Sequence, residues 1–230
     1  MKYLQDESFR FYVILLFAWI LIYIPYIGKY VRLISTMIHE GGHVLMGCLL
    51  GERTLKVSLF SNASGEAAVS VSNKFKKLLI AIAGYPSTAL IAFLSFWLLS
   101  KDLHFYYIIG ISLITLTFLL LYIRNIYGIV WSVSFIAINF IVLYFKYQTL
   151  LELMAQAYAC IILLESVFSC FILVYVSFTS KTVSDASNVS SVVLLPKQLV
   201  ALLFTAFNLY MAFISVTYYF PSINHFINQN

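Results

Sequence analysis

The chain has 230 residues, 62% of them hydrophobic and only 10% charged, with a formal net charge of +5. Water-soluble domains carry roughly a quarter charged residues, so a soluble globular fold is excluded, as are a disordered chain and a secreted disulfide scaffold. The basic residues lie between apolar stretches rather than in runs, which marks membrane topology and argues against a nucleic-acid partner.

A bilayer-spanning helix needs about 20 mostly apolar residues. Seven stretches qualify, at about 11–27, 33–51, 78–99, 104–122, 126–144, 150–178 and 198–220. The first follows Lys2 and Arg10 as a signal peptide would, but it ends in Ile24-Pro25-Tyr26-Ile27-Gly28 without a small-residue cleavage pattern. It reads as a retained helix. Arg124 and Asn125 alone divide the fourth stretch from the fifth.

Two stretches are too polar to span. Residues 54–72 alternate, with Leu55, Val57 and Leu59 before a turn at residues 61–66 and Ala67, Val69 and Val71 after it. This period-two pattern predicts a β-hairpin, and because lone hairpins are marginal in water, it is expected to lean on the membrane domain. The other stretch, 177–197, is rich in Ser, Thr and Asn and contains Asp185. The fold class expected is an all-α polytopic membrane protein of about six to seven transmembrane helices with a short β-hairpin insertion, residues 1–230 forming one integral membrane domain.

Lysines and arginines set the orientation. A cytoplasmic N-terminus puts Lys2, Arg10, Arg53, Lys56, Lys74, Lys76, Lys77, Arg124, Lys181 and Lys197 inside, and Lys29, Arg32, Lys101 and Lys146 outside. The excess favours an inside N-terminus and an outside C-terminus. Cys48, Cys160 and Cys170 all lie in apolar stretches and are expected to be buried thiols.

The second apolar stretch contains His39-Glu40-Gly41-Gly42-His43. At about 100° per helical residue, His39 and His43 lie ~40° apart on one face, with Glu40 in the same arc. Two imidazoles on successive turns can hold one Zn²⁺ while the adjacent carboxylate reaches water, which is the chemistry of H-E-x-x-H. Ionisable groups at bilayer depth are costly and mark functional sites. Gly41, Gly42, Gly47 and Gly51 give the helix a thin side for a close neighbour. A catalytic zinc needs a third protein ligand and an open position. Spacing leaves that ligand open between Asp185 and Glu165, the latter inside an apolar run.

Four stretches together resemble a known family. They are Met37 to Leu45 around the histidines, the hairpin through Gly65, Ala83-Gly84-Tyr85-Pro86-Ser87-Thr88-Ala89-Leu90, and Ser184-Asp185-Ala186. The chain resembles the site-2-protease-type membrane zinc metallopeptidases, particularly their small bacterial B-like branch. Pro86 and Ser87 stand where that branch has leucine and glycine, and the wider clan's N-P-x-P-x-x-D-G motif is absent. The resemblance implies His39, His43 and Asp185 as zinc ligands and Glu40 as general base. It also implies a plasma-membrane protein of a bacterial cell that hydrolyses membrane-bound protein or peptide substrates. Two other readings use the same residues: a transporter or ion-handling protein built on His39, His43 and Glu165, and a non-catalytic metal-binding relative.

Overall fold

The computed structural model describes residues 7–220, and Lys2 lies outside the described residues. In chain order the elements are α1 (Glu7–Leu21), α2 (Ile27–Leu49), β1 (Thr54–Leu59), β2 (Gly65–Val69), α3 (Lys74–Leu99), α4 (His104–Leu121), α5 (Ile126–Phe145), α6 (Gln148–Thr179), α7 (Asp185–Val193) and α8 (Lys197–Tyr219). Asn73 caps α3 by accepting from the Lys76 amide at 2.9 Å. Ser184 and Ser187 form a reciprocal capping box at the start of α7. The hairpin and the break between α4 and α5 fall where the alternation and Arg124-Asn125 place them.

Among the described residues, five helices, α3, α4, α5, α6 and α8, are long and apolar enough to cross a membrane. The expected six to seven spans are not confirmed, since the first two stretches do not stand among these five. With 15 residues, α1 is about 22 Å long, shorter than the ~30 Å hydrocarbon layer. Along α2, the polar groups of Arg32, His39, Glu40 and His43 interrupt the apolar run.

The two helices instead pass the chain from one end of the bundle to the other. Arg10 in α1 pairs with Glu152 at the start of α6 at 3.2 Å, and α2 leads into the hairpin beside the start of α3. Arg10 and Tyr219 share a cavity with Ser100 and Asp102 at the far end of α3. Among the described residues, Arg10 and Tyr219 therefore lie at the end of the bundle opposite the hairpin, not on its side as expected for Arg10. Arg32 and its partner Glu165, 2.9 Å away, sit between helices rather than at a loop, so Arg32 is no topology marker.

The long α6 forms the centre, with α1, α2, α3, α4 and α8 packed around it. Ala155, Ala159, Cys160 and Ile162 are fully buried along it. Small residues let the neighbours close in, as membrane packing without a hydrophobic drive requires. Asn139 of α5 is buried among helices, donating to Ser112 and accepting from Tyr158, which satisfies an otherwise costly amide. Cys160 and Cys170 are buried as expected; Cys48 is exposed, its thiol 3.5 Å from the Tyr122 hydroxyl.

The hairpin does lean on the helices. The Val57 amide donates to Tyr122 O at 2.8 Å, and the Arg124 amide donates to Val57 O. Asn125 clasps Leu59 from both sides, donating to its carbonyl at 2.6 Å and accepting from its amide at 3.1 Å. One edge of the hairpin is thus consumed by the α4–α5 linker, and β2 carries the open edge.

Candidate metal centre

Three elements build the site. Helical periodicity places His39 and His43 on one face of α2, their Nε2 atoms 3.2 Å apart. Asp185, the first residue of α7, is aimed at them by the Ser184 capping box, and its Oδ2 lies 3.0 Å from His39 Nε2 and 3.3 Å from His43 Nε2. A chain neighbour from α3 makes the convergence possible. A Cβ added at Gly84 would sit 2.6 Å from both His39 Cε1 and His43 Nε2. Gly42 serves the same approach from the other helix, since a Cβ there would meet Ala83 O at 2.6 Å.

The donor atoms of His39, His43 and Asp185 all lie within 4.8 Å of one another, a grouping that can hold a metal ion. Tetrahedral zinc with bonds of ~2.0–2.2 Å has donor–donor edges of about 3.3 Å, close to the separations seen. His43 Nδ1 lies 2.7 Å from Ile80 O, which orients the ring. That bond calls for a proton on Nδ1 and leaves the Nε2 lone pair facing the cluster. Two imidazole lone pairs and a carboxylate converging on one point fit a cation. Burial raises the Asp185 carboxyl, but when the rings carry a proton on Nε2 the hydrogen bonds from His39 and His43 outweigh it and hold the group well below the usual carboxylate range. The His39 ring stands edge-on to Tyr85 at 4.7 Å, and Tyr85 stacks on Phe204 of α8 at 5.4 Å.

Glu40 is buried beside the histidines, against the hairpin tip. A Cβ at Gly65 would lie 2.8 Å from Glu40 Oε1 and 2.7 Å from Thr36. Thr36 fixes that approach by donating to Ala63 O at 2.7 Å. Register decides what β2 shows the cleft. Val57 pairs with Ala67 and Leu59 with Gly65. Val57 and Leu59 turn their backbone groups to the linker, so in an antiparallel ladder Ala67 and Gly65 turn theirs to the opposite, open edge. That edge lines a cleft of about 410 Å³ together with His39, Glu40, His43, Tyr85 and Asp185.

Of the residues read from the sequence, His39, Glu40, His43 and Asp185 share this cleft, whereas Glu165 is held by Arg32 outside the cluster. In the sequence Asn125 marks only the divide between two spans; its grip on Leu59 is signalled there by nothing more than a polar amide in a two-residue break. Arg32 precedes His39 by seven residues, about two turns, and so shares its helical face, the signal that it points inward and is no loop charge.

The Peptidase M50B-like family model matches residues 12–215. The chain belongs to that family. No curated protein and no solved structure matches it. Membership in the M50B-like family, a site-2-protease-type grouping, is that of membrane metallopeptidases, and with five apolar helices it marks an integral membrane protein.

Proposed function

We propose that this M50B-like protein is an intramembrane zinc metalloprotease in which His39, His43 and Asp185 hold the metal and Glu40 is the general base. The observation that carries the reading is the 3.0–3.3 Å triangle of three donor atoms with a buried carboxylate beside it in one cleft. Zinc, when bound, supplies Lewis acidity and brings the pKa of water towards 7. Glu40 takes a proton from the attacking water as its oxygen bonds to the peptide carbonyl carbon. When the C–N bond breaks, Glu40 passes that proton to the departing amine.

A membrane substrate is helical and hides its carbonyls. The open edge of β2 provides for it: an unwound segment pairs with Gly65 and Ala67 as an added strand, which lays its backbone across Glu40. The hairpin end carries Arg53, Lys56, Lys74, Lys76, Lys77, Arg124, Lys181 and Lys197, while the opposite end carries Arg10, Lys101 and Lys146. By the positive-inside rule the cleft faces the cytoplasm of a bacterial cell, and α1 begins on the outer side.

Metal analysis of purified protein tests the reading. The wild type is expected to carry about one equivalent of zinc, the complement of a three-ligand catalytic site. His43→Ala and Asp185→Ala should each lose it. Glu40→Gln should keep the metal and lose peptide cleavage; a metal transporter would keep flux through that same variant. Retention of zinc by Asp185→Ala would remove the third ligand and with it the proposed site.

A further inference from the structure

A second cavity, of about 260 Å³, meets the cleft at His39, Glu40, Gly65 and Tyr85 and lies on the far side of the hairpin tip. Its remaining lining sets several polar side chains beside Ala63 and Ile172, although it lies between the middles of apolar helices. Glu165, Ser169 and Ile172 come from one face of the 32-residue α6, Thr36 and Ser35 from α2, and Thr88 from α3. Polar side chains at bilayer depth are expensive and are retained where they bind something. The main cleft instead runs outward past Val71, Lys77 and Asn188, towards the ends of α3 and α7. A strand laid along β2 therefore passes from one cavity to the other, crossing Glu40 between them.

Three of its polar groups, Thr36, Thr88 and Glu165, present acceptors. Thr36 spends its hydroxyl proton on Ala63 O and Thr88 on Tyr85 O, each at 2.7 Å. Their oxygens keep free lone pairs. Glu165 is an acceptor only, one of its oxygens lying 2.9 Å from Arg32 Nε. A donor group on the ligand would be satisfied here, while an aliphatic one would leave these oxygens unpaired. A cationic side chain would meet the Arg32 guanidinium that already pairs with Glu165, while Glu40, the other carboxylate lining the cavity, belongs to the metal cleft.

We infer that this cavity is a specificity subsite for a neutral hydrogen-bond-donating side chain, a hydroxyl or a carboxamide, on the membrane-buried side of the scissile bond. The inference rests on the protease reading for the words "scissile bond", but not for the binding itself. It is tested by binding rather than turnover, with zinc-loaded Glu40→Gln protein in lipid nanodiscs. The probe is a fluorescent Leu/Ala host peptide of about 20 residues, long enough to span, carrying one central Asn, Thr, Leu or Lys.

The Asn and Thr hosts are expected to bind about tenfold more tightly than the Leu host, the worth of one net hydrogen bond. Adding Ser169→Val, or separately Thr88→Val, should collapse that ratio towards one while zinc content and Leu-host affinity stay the same. Equal affinities for all hosts, a preference for Lys, or a ratio that survives both valine variants would overturn the subsite. Wild-type protein that shows the Asn preference yet cleaves no host would overturn the protease reading and leave the subsite standing.

Discussion

At the residue scale, the centre depends on what is missing as much as on what is present. Gly84 has no side chain because two imidazoles occupy the place where one would be. Gly84→Ala must push the His39 and His43 rings apart or move α3 off α2. Metal affinity is expected to fall at least about tenfold, as for changes that misorient first-shell ligands, while the helical content measured by circular dichroism is unchanged. Ala67→Pro acts on the other side of the cleft. It removes the amide at the open edge of β2, which is also a hydrogen-bond partner of the Glu40 carboxylate, and leaves the paired edge intact. Cleavage of a membrane peptide should drop while the zinc content holds; undiminished cleavage would rule out strand addition.

The element that decides the cleft is the hairpin, held at its tip, its edge and its base. Leu59 is wholly buried, and Asn125 satisfies both its backbone groups. Asn125→Ala orphans a buried N–H and a buried C=O, a cost of about 2 kcal/mol, which a lowered thermal unfolding midpoint would report. Glu52 closes the base by accepting from the Ser72 hydroxyl and amide and by pairing with Lys76 at 2.9 Å. The Ser72 hydrogen bond, then the Lys76 ammonium, bring the Glu52 carboxyl down from 4.5 to about 2. A depressed carboxyl stabilises the fold above its unfolded value, and that contribution disappears as pH falls from 4.5 towards 2. The protection of amides 52–72 relative to their intrinsic exchange rates is expected to fall across that window, and Glu52→Gln should flatten the dependence.

At the scale of the whole molecule, the Arg32–Glu165 pair and the joined passage of α1 and α2 set the architecture. Removing one member of a largely buried ion pair leaves a charge without compensation and costs about 3 kcal/mol. Arg32→Met should therefore destabilise more than the double change Arg32→Met with Glu165→Leu, as read from unfolding midpoints in detergent. Orientation has its own test. In a Cys48→Ser background, Lys101→Cys should react with an impermeant maleimide on intact cells, and Ser61→Cys only after lysis. The opposite labelling would invert the molecule and take the cleft away from the cytoplasm.

Composition alone determined that the chain belongs in a bilayer, because too few charges exist to cover a wet surface. Local periodicity determined that His39, Glu40 and His43 share a helical face and that residues 54–72 fold back as a hairpin, since both patterns depend only on near neighbours. Periodicity shows which side chains share a face but not what that face meets. Both Asp185 and Glu165 could be aligned with the histidines on paper. Packing alone resolved them, by bringing the α7 capping box over His39 and setting Arg32 against Glu165. The same limit hid the passage of α1 and α2 from one end to the other and the grip of Asn125 on Leu59. Both are contacts between segments distant in the chain, and such contacts exist only once the helices have packed around α6.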